Sequence, residues 1–198
     1  MLTAAAGGAR SLLAARGELA PGLVLKASVA ASVRSSSDRP AGNRVGTMVV
    51  PLPLSDPAAA HRLEQIARAT TERKKQPPYQ LNGRMLQRWM AHTMSHQRLV
   101  NLLVSDLAGP AGGLRFAGVP VHELFQFGVV QGNITVSVGA LSYAGQLAIG
   151  IVGDSDAAPD LAVFSAGMSA ALDELGVLSD QVTFGVPEVA RGAVGWPY

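Results

Sequence analysis

Apolar and polar residues alternate with a period of two at residues 134–139, where Ile134, Val136 and Val138 interleave with Thr135, Ser137 and Gly139. That spacing predicts a strand with one face toward a core. Ser142-Tyr143-Ala144-Gly145 reads as a turn, and residues 146–152 as the return strand. No charged residue falls between Leu124 and Gly153, a run long enough to raise the question of a membrane span. Gln126, Gln131, Asn133, Gln146 and the many glycines argue against one. Two buried strands joined by the turn account for the missing charge.

Elsewhere the period is helical. Pro159 opens a helix that carries Leu161, Phe164, Met168, Ala171, Leu172 and Leu175, and Gly176 ends it. Residues 2–16 predict a helix with small residues on its packing face, strengthened by Leu12 and Leu13 and stopped at Gly17. Its Gly7-Gly8 pair either weakens the middle or permits close packing. Asp56-Pro57 predicts a third helix start, a cap followed by proline at the first helical position. That helix runs to about Lys75, with Leu63, Ile66, Ala67 and Thr70 on its buried face and Arg62, Glu64, Arg68, Glu72 and Arg73 mostly off it. A fourth helix is expected over 81–97, after the break at Pro77-Pro78.

Strands are expected at 23–33, at 45–54, at 99–104 and, short, at 114–119. Pro51 and Pro53 confine the second of these to a sheet edge or exit. Residues 34–44 and 108–113 read as loops. Residues 1–176 form the expected domain, and 177–198, with Gly185, Pro187, Gly192, Gly195 and Pro197, a loose tail. The whole reads as an α/β fold, a mixed sheet with helices on its faces.

Composition narrows the function. At 198 residues, 48% hydrophobic and 15% charged, the chain closes one core and is not a disordered tail. Cysteine is absent, which excludes a disulfide scaffold, a Cys-ligated metal and a Cys nucleophile, and fits the cytoplasm. The net charge of +2 conceals a split. Residues 1–99 hold 14 Lys and Arg against 5 Asp and Glu, and residues 100–198 hold 2 against 9. The split means an anionic partner for the basic half or attraction between the halves, and the second reading is preferred. Arg10 and Arg16 interrupt the Ala-rich start and argue against a signal peptide.

No self-contained active site emerges from the residues. His92 and His96 lie four apart, but Thr93 stands where a zinc-binding helix of the metalloprotease kind needs Glu. Asp154, Asp156 and Asp160 lack the calcium-loop glycine and closing Glu, so a solvated loop with a helix cap is preferred. Gly7-Gly8-Ala9-Arg10 and Gly112-Gly113 lack the Lys-Ser/Thr ending of a phosphate loop. Ser105-Asp106 follows a strand without an ordered Ser-His-Asp signature. Arg73-Lys74-Lys75 suits the negative end of a helix dipole. Few aromatics and no known reading module leave no nucleic acid among the expected partners.

Several segments in order resemble the C-terminal half of bacterial wax ester synthase/diacylglycerol O-acyltransferases. They are Gly42-Asn43-Arg44-Val45-Gly46 with Val50-Pro51-Leu52-Pro53, then Asn101-Leu102-Leu103-Val104-Ser105-Asp106-Leu107-Ala108-Gly109-Pro110. Last come Asn133-Ile134-Thr135-Val136, Leu141-Ser142-Tyr143-Ala144-Gly145-Gln146-Leu147, Gly150-Ile151-Val152-Gly153-Asp154 and Pro159-Asp160. The resemblance covers about residues 1–176. It implies the CoA-dependent acyltransferase (chloramphenicol acetyltransferase-like) fold, in which two α/β halves face each other. It also implies acyl-CoA as co-substrate, no covalently bound cofactor, and diacylglycerol or a fatty alcohol as acceptor. Structural roles are implied for Asn43, Gly46, Asp106, Gly109, Pro110, Ser142, Tyr143, Gly145, Asp154 and Asp160.

The family's general base is a histidine in a His-His-x-x-x-Asp-Gly motif of the N-terminal half, suited by its near-neutral pKa to deprotonating a hydroxyl. None of His61, His92, His96 and His122 has a neighbouring His or a following Asp-Gly. No catalytic residue is therefore assigned to this chain. An N-terminal half, from the same gene or a separate chain, is the expected partner. Met1 stands where the family continues from an Asn-Asp pair, so a truncated gene, a misassigned start or a split enzyme is expected. Asp106 replaces the family's Asn, and an ionised Asp accepts hydrogen bonds without donating. The expected location is cytoplasmic, with contact at a membrane or lipid-droplet surface. The alternative is a non-catalytic lipid- or protein-binding relic of the same fold.

Overall fold

The computed structural model describes residues 1–32, 45–75, 97, 99–110, 112–130, 132–176 and 182–185. Its main sheet has six strands in the order β2-β1-β3-β6-β7-β8. These are β1 (Val24–Ser32), β2 (Val45–Pro53), β3 (Leu102–Ala108), β6 (Val136–Tyr143), β7 (Gln146–Gly153) and β8 (Val182–Gly185). A separate two-stranded hairpin pairs β4 (Arg115–Phe116) with β5 (Val119–Pro120). The helices are α1 (Leu2–Ala15), α2 (Ala59–Lys74) and α3 (Leu161–Glu174). Within the main sheet, β1–β2 and β6–β7 are antiparallel, while β1–β3, β3–β6 and β7–β8 are parallel. The expected mixed sheet is observed.

Strand parity separates two faces. Met48, Val50 and Leu52 of β2, Ala27 of β1, Leu102 and Val104 of β3, Val136, Val138 and Ala140 of β6, and Ile149 and Ile151 of β7 all point one way. They share a core with Ala5, Ala6 and Ala9 of α1, Ile66 of α2, and Phe164 and Met168 of α3. The described helices thus form one layer on one face, not two layers on two. On the opposite face Ser105, Ser137, Gly139 and Gly150 meet the extended segment 121–130. That is why β6 is buried on both sides although its pattern alternates.

Small residues set the helix spacing. A Cβ at Gly8 would lie 2.7 Å from the Phe164 carbonyl oxygen and 2.8 Å from Met168 Cγ, and one at Gly7 2.6 Å from Ala171 Cβ. The Gly7-Gly8 pair therefore permits close approach of α1 to α3, the second of its two expected roles. Gly17, at φ +70, carries the chain out of α1 in the left-handed conformation.

Several expectations change. The second helix begins at Ala59, with Ala58 as its cap residue. Asp56 instead accepts the Ala58 N–H at 2.9 Å in a turn just before it. The buried face of α2 is rotated: Arg62 is 2% exposed and Leu63 45%. Arg62 Nη1 donates to the Asp56 and Pro57 carbonyls at 2.8 and 2.7 Å, its Nε is buried with no partner among the described residues, and its stem fills apolar space. The expected strand at 99–104 lies at Leu102–Ala108, and that at 114–119 is the β4–β5 hairpin. Part of the expected tail belongs to the sheet, since Val182 to Gly185 pairs in parallel with β7. The 34–44 loop and residues 81–96 of the expected helix lie outside the described residues, and Gln97 is not helical.

Candidate functional site

Gly109, Pro110, Ser142, Tyr143 and Gly145 lie together at one end of the sheet, where β3 leaves it and β6 turns into β7. The parallel register runs Leu102↔Val136 to Ala108↔Ser142. Just past it, the Gly109 N–H donates to the Ser142 carbonyl at 2.9 Å. A Cβ on Gly109 would collide with that carbonyl, so only glycine lets the chain close down there. Pro110, exposed and without an N–H, follows as the strand leaves the ladder.

Ser142 and Tyr143 continue the corner. Tyr143 is buried, and its hydroxyl donates to the Val121 carbonyl at 2.9 Å while accepting the Leu114 N–H at 2.6 Å. One phenol therefore fastens both roots of the β4–β5 hairpin, and the Val121 N–H closes the same pair on the Leu114 carbonyl at 2.9 Å. Ala144 and Gly145 form the two-residue turn between β6 and β7, both at positive φ (+48 and +84). This hairpin geometry suits glycine and strains alanine. Ser142, Tyr143 and Gly145 thus make the expected tight hairpin, and Tyr143 adds a clamp that the motif did not disclose.

Asp106 is exposed and pairs in register with Ala140, on the helix side of the sheet. Burial lowers the Met1 amine from its ordinary value and the charge of Asp106 raises it, which places the start of α1 near this carboxylate. Asp154 shapes a loop: its Oδ1 accepts the N–H groups of Asp156 and Ala157 at 2.9 and 3.0 Å. Asp160 takes the cap position of α3 but makes no side-chain cap bond. It pairs with Arg16 instead, with Nε to Oδ2 at 2.9 Å and Nη2 to Oδ1, and Arg16 Nη2 also reaches the Ala157 carbonyl at 3.0 Å. The Arg16 hydrogen bond holds the Asp160 carboxyl below its usual range. Among the described residues no three His, Asp or Glu side chains group to hold a metal.

Gly46 lies in β2 opposite Ala31. Asn43, His92 and His96 fall outside the described residues. His61 is exposed with its Nδ1 3.3 Å from Asp56 Oδ2, and His122 is exposed. Ser105 Oγ accepts from Gln126 Nε2 at 2.8 Å. No helix among the described residues is long and apolar enough to cross a membrane.

The segment 121–130 is the part of the site that the sequence reading missed. The Gln126 carbonyl rests on the clearing made by Gly139 and Gly150, which sit opposite each other in β6 and β7. Phe127 covers Gly150 and Gly185 and stacks on Phe125 at 6.0 Å between ring centroids. Paired glycines inside otherwise apolar strands were the available signal, since they mark a close backbone approach.

A family model described as the WS/DGAT C-terminal domain matches residues 41–176. Two Mycobacterium tuberculosis proteins that carry diacylglycerol O-acyltransferase names are each 33% identical over 192 residues. The match covers 88% of this chain and 38% of theirs, so the chain spans well under half the length of these relatives. A wax ester synthase/diacylglycerol acyltransferase from Marinobacter aquaeolei VT8 superposes with a TM-score of 0.65 at 18% identity, over 89% of this chain and 42% of that one. The starter condensation domain of rhizomide synthetase RzmA shares the fold at TM-score 0.52 and 18% identity, over 87% and 42%. A variant of that domain, solved in complex with C8-CoA, gives 0.50 at 16% identity, over 92% and 40%.

Proposed function

Since this chain belongs to the WS/DGAT C-terminal domain family, we propose that it is the C-terminal half of an acyl-CoA-dependent O-acyltransferase that makes triacylglycerol or wax esters, and that it transfers no acyl group alone. The observation that carries this is the family match over residues 41–176 in a chain that spans 38% of its relatives. In the reaction the hydroxyl of diacylglycerol or of a long-chain alcohol attacks the thioester carbon of acyl-CoA. A C–O bond forms, the C–S bond breaks, and the hydroxyl proton passes through a general base to the departing thiolate. Acyl-CoA as donor is supported by the C8-CoA complex of the condensation domain that shares this fold.

The base comes from the other half, because none of this chain's histidines has the paired-His setting. The contribution of this chain is a wall. The corner at Gly109 and Ser142, the Tyr143 clamp and the segment 121–130 give a rigid surface beside which the acyl chain lies. Gly46, within β2, keeps a structural role. Asp106, Pro110, Gly145, Asp154 and Asp160 keep structural roles. The lipid acceptor places the reaction at a membrane or droplet surface, reached from the cytoplasm.

The test is an acyl-transfer assay with labelled oleoyl-CoA and diolein. The chain alone is expected to form no triolein. Together with the part of the mycobacterial relative that it does not match, it is expected to form product. Turnover by the purified chain alone overturns the reading. A second reading, a lipid-binding relic, draws on the surplus of cations in residues 1–99 and on Arg73 and Lys74 in the last turn of α2. It requires salt-sensitive flotation with anionic liposomes.

A further inference from the structure

Gly139, Gly150 and Gly185 stand in register on β6, β7 and β8. They leave a bare lane across the sheet, on the face away from the helices. Neighbouring strands lie about 4.8 Å apart, so the lane is about 10 Å long. The middle strands β6 and β7 spend their peptide groups on a neighbour at either side. The lane therefore offers neither side chains to interlock with nor peptide groups to bond.

Three residues of the segment 121–130 fill it. The Gln126 carbonyl rests on Gly139 and Gly150, and the Phe125 ring edge lies against Gly185. Phe127 spans the rest: a Cβ on Gly150 would lie 2.8 Å from its Cδ1, and one on Gly185 3.3 Å from its Cζ. Phe127 alone of the three is classed with the open surface, at 46% exposed. One side of its ring covers the glycines and the rest looks out from the sheet. It is the boundary between the sheet floor and the open side.

Charge says what can lie on that side. The outward residues flanking the lane are Leu107, Leu141 and Ala148, in register with one another, and residues 124–130 contain no ionisable side chain. Leu107 is 48% exposed. A surface without cations does not hold the phosphates of a CoA group. A surface without free peptide groups gives little to a polypeptide strand. A hydrocarbon chain needs neither, and apolar space uncovered in a packed protein stays dry and takes up apolar ligands.

Resting on the half-enzyme reading above, we propose that Phe127 sets the length of acyl chain that the enzyme accepts. Its ring closes a slot floored by Gly150 and Gly185 and walled by Phe125, and the end of the acyl chain stops against it. A smaller residue at this position uncovers the slot, about one strand spacing wide, and lets a longer chain enter.

The experiment measures kcat/KM for stearoyl-CoA and lauroyl-CoA with diolein. It uses the chain combined with the part of the 33%-identical mycobacterial relative that it does not match. One methylene in an apolar pocket changes kcat/KM by about 10–200-fold. Phe127→Ala is expected to raise the stearoyl-to-lauroyl ratio at least tenfold, Phe127→Leu to raise it less, and Phe127→Trp to lower it. Phe127→Leu keeps the seat partly filled and decides the matter if Phe127→Ala unfolds. Val129→Ala, on the same segment and 68% exposed, is expected to leave the ratio unchanged. An unmoved ratio in the Phe127 variants overturns the proposal, as does an equal loss with both substrates, which a merely structural role produces. Displacement of cis-parinaric acid from the chain alone by stearic and lauric acid separates this proposal from the reading beneath it. If no ester forms but Phe127→Ala favours stearic over lauric acid at least tenfold relative to wild type, the half-enzyme reading falls and the length limit stands. If ester forms with an unmoved ratio, the reverse holds. If no ester forms and neither acid displaces the probe, both fall.

Discussion

The two faces of the main sheet are closed in opposite ways. On one face α1, α2 and α3 lay Ala5, Ala9, Ile66, Phe164 and Met168 onto Val50, Val104, Val138 and Ile151, and water is excluded. On the other, one extended segment rests its Gln126 carbonyl on two glycines and leaves Phe127 half-exposed. Fully burying a large aliphatic or aromatic side chain contributes about 1.5–3 kcal/mol, so most of the folding free energy sits on the helix side. The segment side contributes little burial and much exposed apolar surface. The lesson is a division of labour in which one face holds the domain together and the other remains available to a partner.

The most severe way to break this division is to wedge the helix side. Gly8→Val drives branched carbon into the Phe164 carbonyl and Met168. A loss of about 3 kcal/mol is expected by urea unfolding, with both faces affected. Next is the buried cation. Arg62→Ala strands the Asp56 and Pro57 carbonyls and empties the stem's volume, at an expected cost of about 2 kcal/mol. Arg62→Met, which refills that volume, is expected to cost less. Equal losses from the two would show that packing of the stem contributes nothing.

The comparison sharpens with Gly139→Ala, whose Cβ would meet the Gln126 carbonyl. Here about 1 kcal/mol is expected, with faster hydrogen exchange confined to residues 124–128 and helix amides unchanged. Uniform loosening of both faces would deny their independence. The smallest effect is expected from Asp160→Asn, which removes the ion pair with Arg16. The folded-state carboxyl lies below its ordinary value near 3.9. Its contribution is therefore present above that value and is lost as pH falls through the lower folded-state one. Wild type and variant are expected to differ slightly at neutral pH, less at high salt, and to converge in strong acid.

What the sequence disclosed follows from which interactions are local. The strand signal at residues 134–139, the turn read at Ser142-Tyr143-Ala144-Gly145 and the stops at Gly17 and Gly176 depend on neighbours in the chain, and each is observed, the turn narrowed to Ala144-Gly145 because Ser142 and Tyr143 belong to β6. The interior choice between Arg62 and Leu63 does not, because only the position of α1 and α3 decides which side of α2 is covered. Pro57 looked like a helix start, yet the Asp56 turn delays the helix to Ala59. Four residues from Val182 among glycines and prolines gave no strand signal alone, and their partner in β7 supplies it. At the site, motifs located Gly109 and Ser142. The Tyr143 clamp and the Gln126 seat join residues more than ten positions apart, which no local pattern encodes.

The contact between α1 and α3 has a consequence for how the domain is made. The helix that begins at Leu2 finds its closest neighbour in the helix that begins at Leu161. During synthesis at about 5–20 residues per second, the second follows the first by roughly 8–30 s. For that interval the Ala- and Gly-rich first helix lacks its main partner and is too weak to persist alone. The domain therefore cannot fold progressively from its first residues, and the ribosome holds its beginning unfinished until nearly its end has emerged.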